Sequence, residues 1–125
     1  MKLLQIYRCF CDETRLRILH LLKQGPLCVC HFQDILKLPQ VAVSKQLACL
    51  RANDLVIAQR HEKWMIYRLP EKAPAEVDLQ LRCLQDCVQS HPVFLEDLKR
   101  LKRLKSECEW VQQAVRSVRK QKPCC

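Results

Sequence analysis

Gly25 is the one glycine among 125 residues, and that argues against an all-β fold, whose turns call repeatedly for residues that tolerate positive φ. Apolar spacing points instead to helices. Leu3, Leu4, Tyr7, Phe10 and Cys11 recur at intervals of three and four, which predicts an N-terminal amphipathic helix. Asp12 can cap a second helix with Glu13 in its first turn. That helix should turn Leu16, Ile18, Leu19 and Leu22 inward and Arg15, Arg17 and Lys23 outward, until Gly25-Pro26 stops it.

The next two segments are shorter. His31 to Leu38 carries Phe32, Ile35, Leu36 and Leu38 at helical spacing, and Pro39 ends that run while suiting the start of another. From Gln40 to Ala52, Val43, Leu47 and Leu50 share one face, while Gln40, Ser44, Lys45, Gln46 and Arg51 occupy the others. Asn53 is expected to end this helix in the left-handed conformation. Two short helices across a tight turn, the second apolar inside and polar outside, describe a helix-turn-helix. The β-rich runs Leu55 to Arg60 and Trp64 to Leu69, separated by His61-Glu62-Lys63, add a hairpin in the position of a wing. The expected fold is mostly α with one β-hairpin, a winged helix-turn-helix.

That architecture implies double-stranded DNA as a partner, and a net charge of +9 agrees with a polyanionic ligand. Gln40, Ala42, Ser44, Lys45 and Gln46 are placed to enter or flank the major groove. Glutamine can pair with an adenine edge, serine with any base, and lysine with guanine or phosphate. Arg60, His61 and Lys63 at the wing tip would meet phosphates or the minor groove. Arg51, near the helix end, reads as a backbone anchor or an ion-pair partner.

Pro70 and Pro74 mark a linker. Ala75 to Val88 repeats Val77, Leu81, Leu84 and Val88 at helical spacing. A long helix follows His91-Pro92, with a seam of Leu101, Leu104, Cys108, Val111, Val115 and Val118. Between Lys99 and Lys122 nine Lys and Arg face two Glu, which reads as a solvated basic face. No apolar run approaches the roughly 18 residues of a membrane span, and Tyr7, Arg8 and Asp12 make the start too polar for a signal peptide. The expected location is the cytoplasm, with no membrane partner. Ten cysteines there compete between ligation, redox chemistry and burial rather than forming a disulfide framework. No Ser/His/Asp set, phosphate loop or paired carboxylates point to an enzyme.

Asp12-Glu13-Thr14-Arg15-Leu16-Arg17-Ile18-Leu19, Leu27-Cys28-Val29-Cys30, Val43-Ser44-Lys45-Gln46-Leu47 and Trp64-Met65-Ile66-Tyr67-Arg68-Leu69 together resemble the ArsR/SmtB family of metal- and metalloid-responsive repressors. The match runs in order from about Phe10 to Leu69. It implies a homodimer built on the first and post-wing helices that leaves a palindromic operator when an inducer binds. Residues 1–92 would form the DNA-binding and dimerisation domain, and residues 93–125 a basic C-terminal helix with a cysteine tail. The chain departs from the family at four places. Gln33 stands where arsenite-sensing relatives carry a third cysteine, and Gln46 where the recognition helix has histidine. The wing turn has Glu62-Lys63 without glycine. Asp78 and His91 have the wrong spacing for the zinc site of the post-wing helix.

Leu-Cys-Val-Cys looks like the family's thiolate sensor, which makes Cys28 and Cys30 the expected ligands of As(III) or Sb(III) as inducer, with no permanent cofactor. Soft thiolates also take Cd, Zn, Cu(I) or Pb. On an ideal helix of 3.6 residues per turn, two such residues diverge by about 200°. Ligation is therefore expected to distort the first turn and cost the DNA-competent geometry. The third thiolate could come from Cys9, Cys11, Cys124 or Cys125. Cys49 and Cys108 read as core. Cys83 and Cys87 read as packing residues on the dimer helix or as a two-ligand pair. Two other functions compete: a thiol-redox repressor on the same fold, and an interaction module that no longer reads DNA.

Overall fold

A computed structural model describes residues 2–62 and 64–107. Lys63, Cys108, the seam from Val111 to Val118, and Cys124 and Cys125 lie outside the described residues. Helices α1 (Lys2–Phe10) and α2 (Glu13–Lys23) lead into a two-residue strand β1 (Leu27–Cys28), then α3 (Val29–Leu36) and α4 (Gln40–Ala52). The hairpin β2 (Ile57–His61) and β3 (Trp64–Arg68) follows, then α5 (Ala75–Cys87), a 3-10 turn over Val88–Ser90, and α6 (Pro92–Glu107).

Local chemistry explains most of the boundaries. The Asp12 carboxylate accepts the Arg15 backbone N–H at 3.0 Å and starts α2. Gly25 takes φ 144°, a value open to glycine, directly after α2. Pro39 is extended and caps α4. The left-handed residue after α4 is Asp54 (φ 59°), a correction to the expectation for Asn53. Asn53 keeps φ −100° and donates its Nδ2 to the Cys49 carbonyl at 2.8 Å. The side-chain bond to the last turn of the helix moves the reversal one residue on. The wing turn manages without glycine by placing Glu62 at φ 54°.

Helix α3 starts two residues earlier than its apolar pattern indicates, because Cys28 serves as its N-cap in an extended conformation. That same conformation lets β1 join the wing. The sheet is antiparallel with order β1-β3-β2, pairing Leu27 with Tyr67 and Cys28 with Ile66. Two residues of strand carry no periodicity, so β1 was invisible in the sequence.

The core is built around α2, where Ile18, Leu19, Leu21 and Leu22 are buried against Phe32 and Ile35 of α3 and Val43, Leu47 and Leu50 of α4. Leu16 is only half-buried. Arg17, expected outside, is turned against α6 instead. Its Nε and Nη2 each donate at 2.8 Å to the fully buried Asp97. Phe94 and Leu101 of α6 are also buried, and Arg100 donates to the Ile35 carbonyl at 3.0 Å. Helix α6 thus closes the core over α2 and α3. His20 packs edge-on to Phe94 at 5.5 Å, and burial holds its pKa below the usual imidazole value. No described helix is long and apolar enough to cross a membrane.

Candidate functional site

Helix α4 buries Val43, Leu47 and Leu50 and so turns the rest of its surface outward. Gln40, Lys45 and Arg51 are exposed, while Ala42, Ser44 and Gln46 are half-buried. Val41, in the first turn, is 80% exposed. Its position off the apolar stripe was the available signal that it serves an outer surface, and sequence reasoning passed over it. On the wing, Arg60 is exposed and His61 half-buried.

Gln46 is not simply presented outward. Arg15 of α2 donates Nη1 to its Oε1 at 3.0 Å, and donates Nε and Nη2 at 2.9 Å each to the carbonyls of Cys9 and Arg8. One guanidinium therefore ties the end of α1 to the middle of α4, using the planar fork that suits arginine to several acceptors at once. Because Oε1 accepts from Arg15, the Gln46 amide nitrogen is directed away from that contact.

The cysteine pair is assembled by the strand-to-helix change at residue 28. Cys28 is extended and Cys30 is in the first turn of α3, so the two sulfurs converge to 2.6 Å. The 200° divergence of an ideal helix does not apply, and no helical distortion is needed to bring the two together. Among the described residues, Cys28, Cys30 and His31 form the group with metal-site proportions, their ligand atoms all within 4.8 Å of one another. Cys28 and His31 are buried. Cys30 is exposed as a residue, but its sulfur lies against the buried Cys28 sulfur, and burial followed by that contact pushes its thiol up to about 12.

His31 was not singled out as a site residue, although Cys-x-Cys-His was legible as a Cys/His cluster. Its Nδ1 accepts the Cys28 backbone N–H at 3.1 Å, in a reciprocal arrangement resembling a capping box. Burial keeps the ring neutral by lowering its pKa. With Nδ1 accepting, the proton sits on Nε2, which faces the Cys28 sulfur at 3.7 Å. His31 is thus arranged to donate to the sulfur; ligating through Nε2 would set an Nδ1–H against the Cys28 N–H.

The remaining cysteines lie elsewhere. Cys9 is buried in the core, and burial first, then the neighbouring Cys49 thiol, raises its pKa. Cys11 is exposed beyond the end of α1. Neither joins the cluster at Cys28 within one chain. Cys83 and Cys87 are both exposed.

Comparison with known proteins agrees with this architecture. Residues 12–58 match the family model described as bacterial regulatory protein, arsR family. The arsenical resistance operon repressor of Escherichia coli is 38% identical over 92 residues, covering 70% of this chain and 79% of the relative. The arsenic resistance transcriptional regulator ArsR1 of Pseudomonas putida is 35% identical over 85 residues, covering 67% of this chain and 66% of the relative. Among solved structures, HlyU from Vibrio cholerae superposes with a TM-score of 0.61 at 29% identity, covering 68% of this chain and 89% of HlyU. With a winged helix-turn-helix, an outward-facing second helix and relatives that regulate transcription, the chain belongs to the ArsR family of DNA-binding transcriptional repressors.

Proposed function

We propose that this repressor holds a palindromic operator as a homodimer and releases it when As(III) or Sb(III) is bound by Cys28 and Cys30. The observation that carries this reading is the convergence of the two sulfurs at the seam between the wing sheet and α3. Cys28 is paired through β1 to Ile66 of the wing, and Cys30 rides on the first helix of the helix-turn-helix. An ion bonded to both sulfurs would therefore tie the wing sheet to the first turn of α3 and fix their relative position. A second copy would cover the exposed Leu3, Leu4 and Tyr7 of α1 and Leu79 of α5, the last 59% exposed. Cys11 or the tail cysteines Cys124 and Cys125 would supply a third thiolate; Cys9 is buried in the core.

The proton balance favours a hydroxylated metalloid over a bare dication. Each thiol that bonds to As(OH)3 gives its proton to a departing hydroxide, so two As–S bonds form, two waters leave and no net proton is released. Cd2+ taken by the same thiols must expel both protons, and Cys30 holds its own up to about 12. Between pH 6.5 and 8, titration of the protein should therefore give a nearly constant affinity for arsenite. For cadmium the affinity should rise about tenfold per pH unit for each proton released. Operator release driven by cadmium alone, with arsenite inert, would overturn the assignment. The same sulfur proximity supports a second reading, oxidation of the pair to a disulfide. Mass separates the two: loss of two hydrogens against gain of an arsenic atom.

On the DNA side, Gln40, Ala42, Ser44, Lys45 and Gln46 would face the major groove, with Arg51, Arg60, His61 and Lys63 on the backbone or minor groove. Val41 adds an apolar contact suited to a thymine methyl. Replacing the contacted thymine by uracil should cost on the order of 1 kcal/mol of operator affinity in the wild type and almost nothing in Val41→Ala. Equal losses in both proteins would remove Val41 from the reading surface.

A further inference from the structure

Arg15 stands where α1, α2 and α4 meet, and three acceptors hold its guanidinium at once. The Cys9 carbonyl accepts from Nε and the Arg8 carbonyl from Nη2, each at 2.9 Å, and Gln46 Oε1 accepts from Nη1 at 3.0 Å. The Arg15 backbone is fixed as well, because its N–H donates to the Asp12 cap. A planar fork bound at three points cannot follow a neighbour that rotates away.

Arginine carries donors only, so the Gln46 atom that faces it must be the oxygen. Flipping the amide would set N–H against N–H. Arg15 and Gln46 are both half-buried, which partly shields the bond from water. A hydrogen bond from a charged donor is roughly twice as strong as a neutral one, and keeping it is the lower-energy course when Gln46 meets a base. What Gln46 then offers beyond Arg15 is its Nε2 group, which donates and does not accept.

The four bases answer such a group differently in the major groove. Bidentate pairing with adenine takes an oxygen for N6–H2 and an N–H for N7, and here the oxygen is occupied. Guanine presents two acceptors side by side, O6 and N7, whereas thymine has O4 alone and cytosine a donor. We infer that Arg15 is a positioning residue that makes Gln46 a donor-only reader, selecting guanine in the operator and rejecting adenine. This selection rests on the proposed seat of Gln46 in the major groove.

Base preference, read position by position, provides the test. The wild type, Gln46→Ala and Arg15→Met, each as the reduced full-length chain, are titrated at one salt concentration. The targets are a duplex enriched from a random pool by the wild type and its single base-pair variants. Gln46→Ala should lose discrimination at one base pair of the half-site. At that pair the wild type should favour guanine over adenine on the order of tenfold. Arg15→Met should level or reverse that ratio by freeing the oxygen, with the ratios at other pairs unchanged; a purely structural defect would weaken every sequence alike. A wild type that favours adenine at the pair overturns the inference and leaves Gln46 in the groove, and so does a folded Arg15→Met that keeps the wild-type ratio. Unchanged ratios everywhere in Gln46→Ala remove Gln46 from the groove and take the inference with it. Should Arg15→Met fail to fold, the wild type decides alone. Exchanging adenine at that pair for purine, which lacks the N6 amino group, should then cost nothing. A loss of about fivefold or more would mean that the Gln46 oxygen accepts from adenine.

Discussion

Asp97→Ala will destabilise the folded chain by about 3–5 kcal/mol, the cost of leaving a buried charge without its partner. Asp97 is completely buried, and the Arg17 side chain is only 12% exposed. Two bonds of 2.8 Å hold the guanidinium, a bidentate geometry that discharges both carboxylate oxygens. Removing the carboxylate leaves a largely buried cation between α2 and α6 without its partner. The pair itself is not the source of the stability, however. Arg17→Met with Asp97→Leu, an apolar pair of similar volume, should fold within about 1 kcal/mol of the wild type or above it. Urea denaturation of both variants decides the matter. A single-variant loss below about 1 kcal/mol would mean that α6 does not enclose Arg17 as described.

Cys28→Ser will leave operator affinity near the wild-type value and shift the arsenite concentration needed for release upward on the order of 100-fold. The first half follows from the place of Cys28 as N-cap of α3, since serine is among the best residues there and keeps the helix start intact. The second half follows because a hydroxyl is a poor ligand for a soft centre and the chelate loses one arm. Cys30→Ser should behave alike. His31→Gln retains a side chain able to reach back to the cap while removing the ring N–H from the sulfur. It should weaken arsenite binding only about tenfold, as expected of a group that tunes a ligand without being one. Full response of Cys28→Ser in a gel-shift titration would defeat the sensor assignment, and complete loss in His31→Gln would make the histidine a ligand.

The local vocabulary of this fold was readable from residue order. Apolar steps of three and four are properties of single segments, so α1, α2, α4, α5 and the hairpin could each be recognised without neighbours. The Cys-x-Cys motif and the polar face of α4 were legible for the same reason. Arg17 and Asp97, 80 residues apart, could not be matched by any pattern, and a charged residue read alone defaults to the surface. Nor could the triple grip of Arg15 on Arg8, Cys9 and Gln46, which depends on how α1, α2 and α4 cross.

The pair Cys28 and Cys30 shows the division most clearly. That Cys28 and Cys30 should act together came from the resemblance of Leu-Cys-Val-Cys to the family's sensor motif, while helical spacing set the two about 200° apart. Whether they could meet depended on the backbone conformation of Cys28, and that is dictated by its pairing with Ile66 in the wing, 38 positions along the chain. Residue order determined the helices, the wing and the chemistry available. Tertiary structure decided which charges are buried, that Cys28 is a strand residue and not a helical one, and therefore that the two sulfurs face each other. Strand pairing is a contact between distant segments, and its effect on a side chain's direction is not written in the neighbours of that side chain.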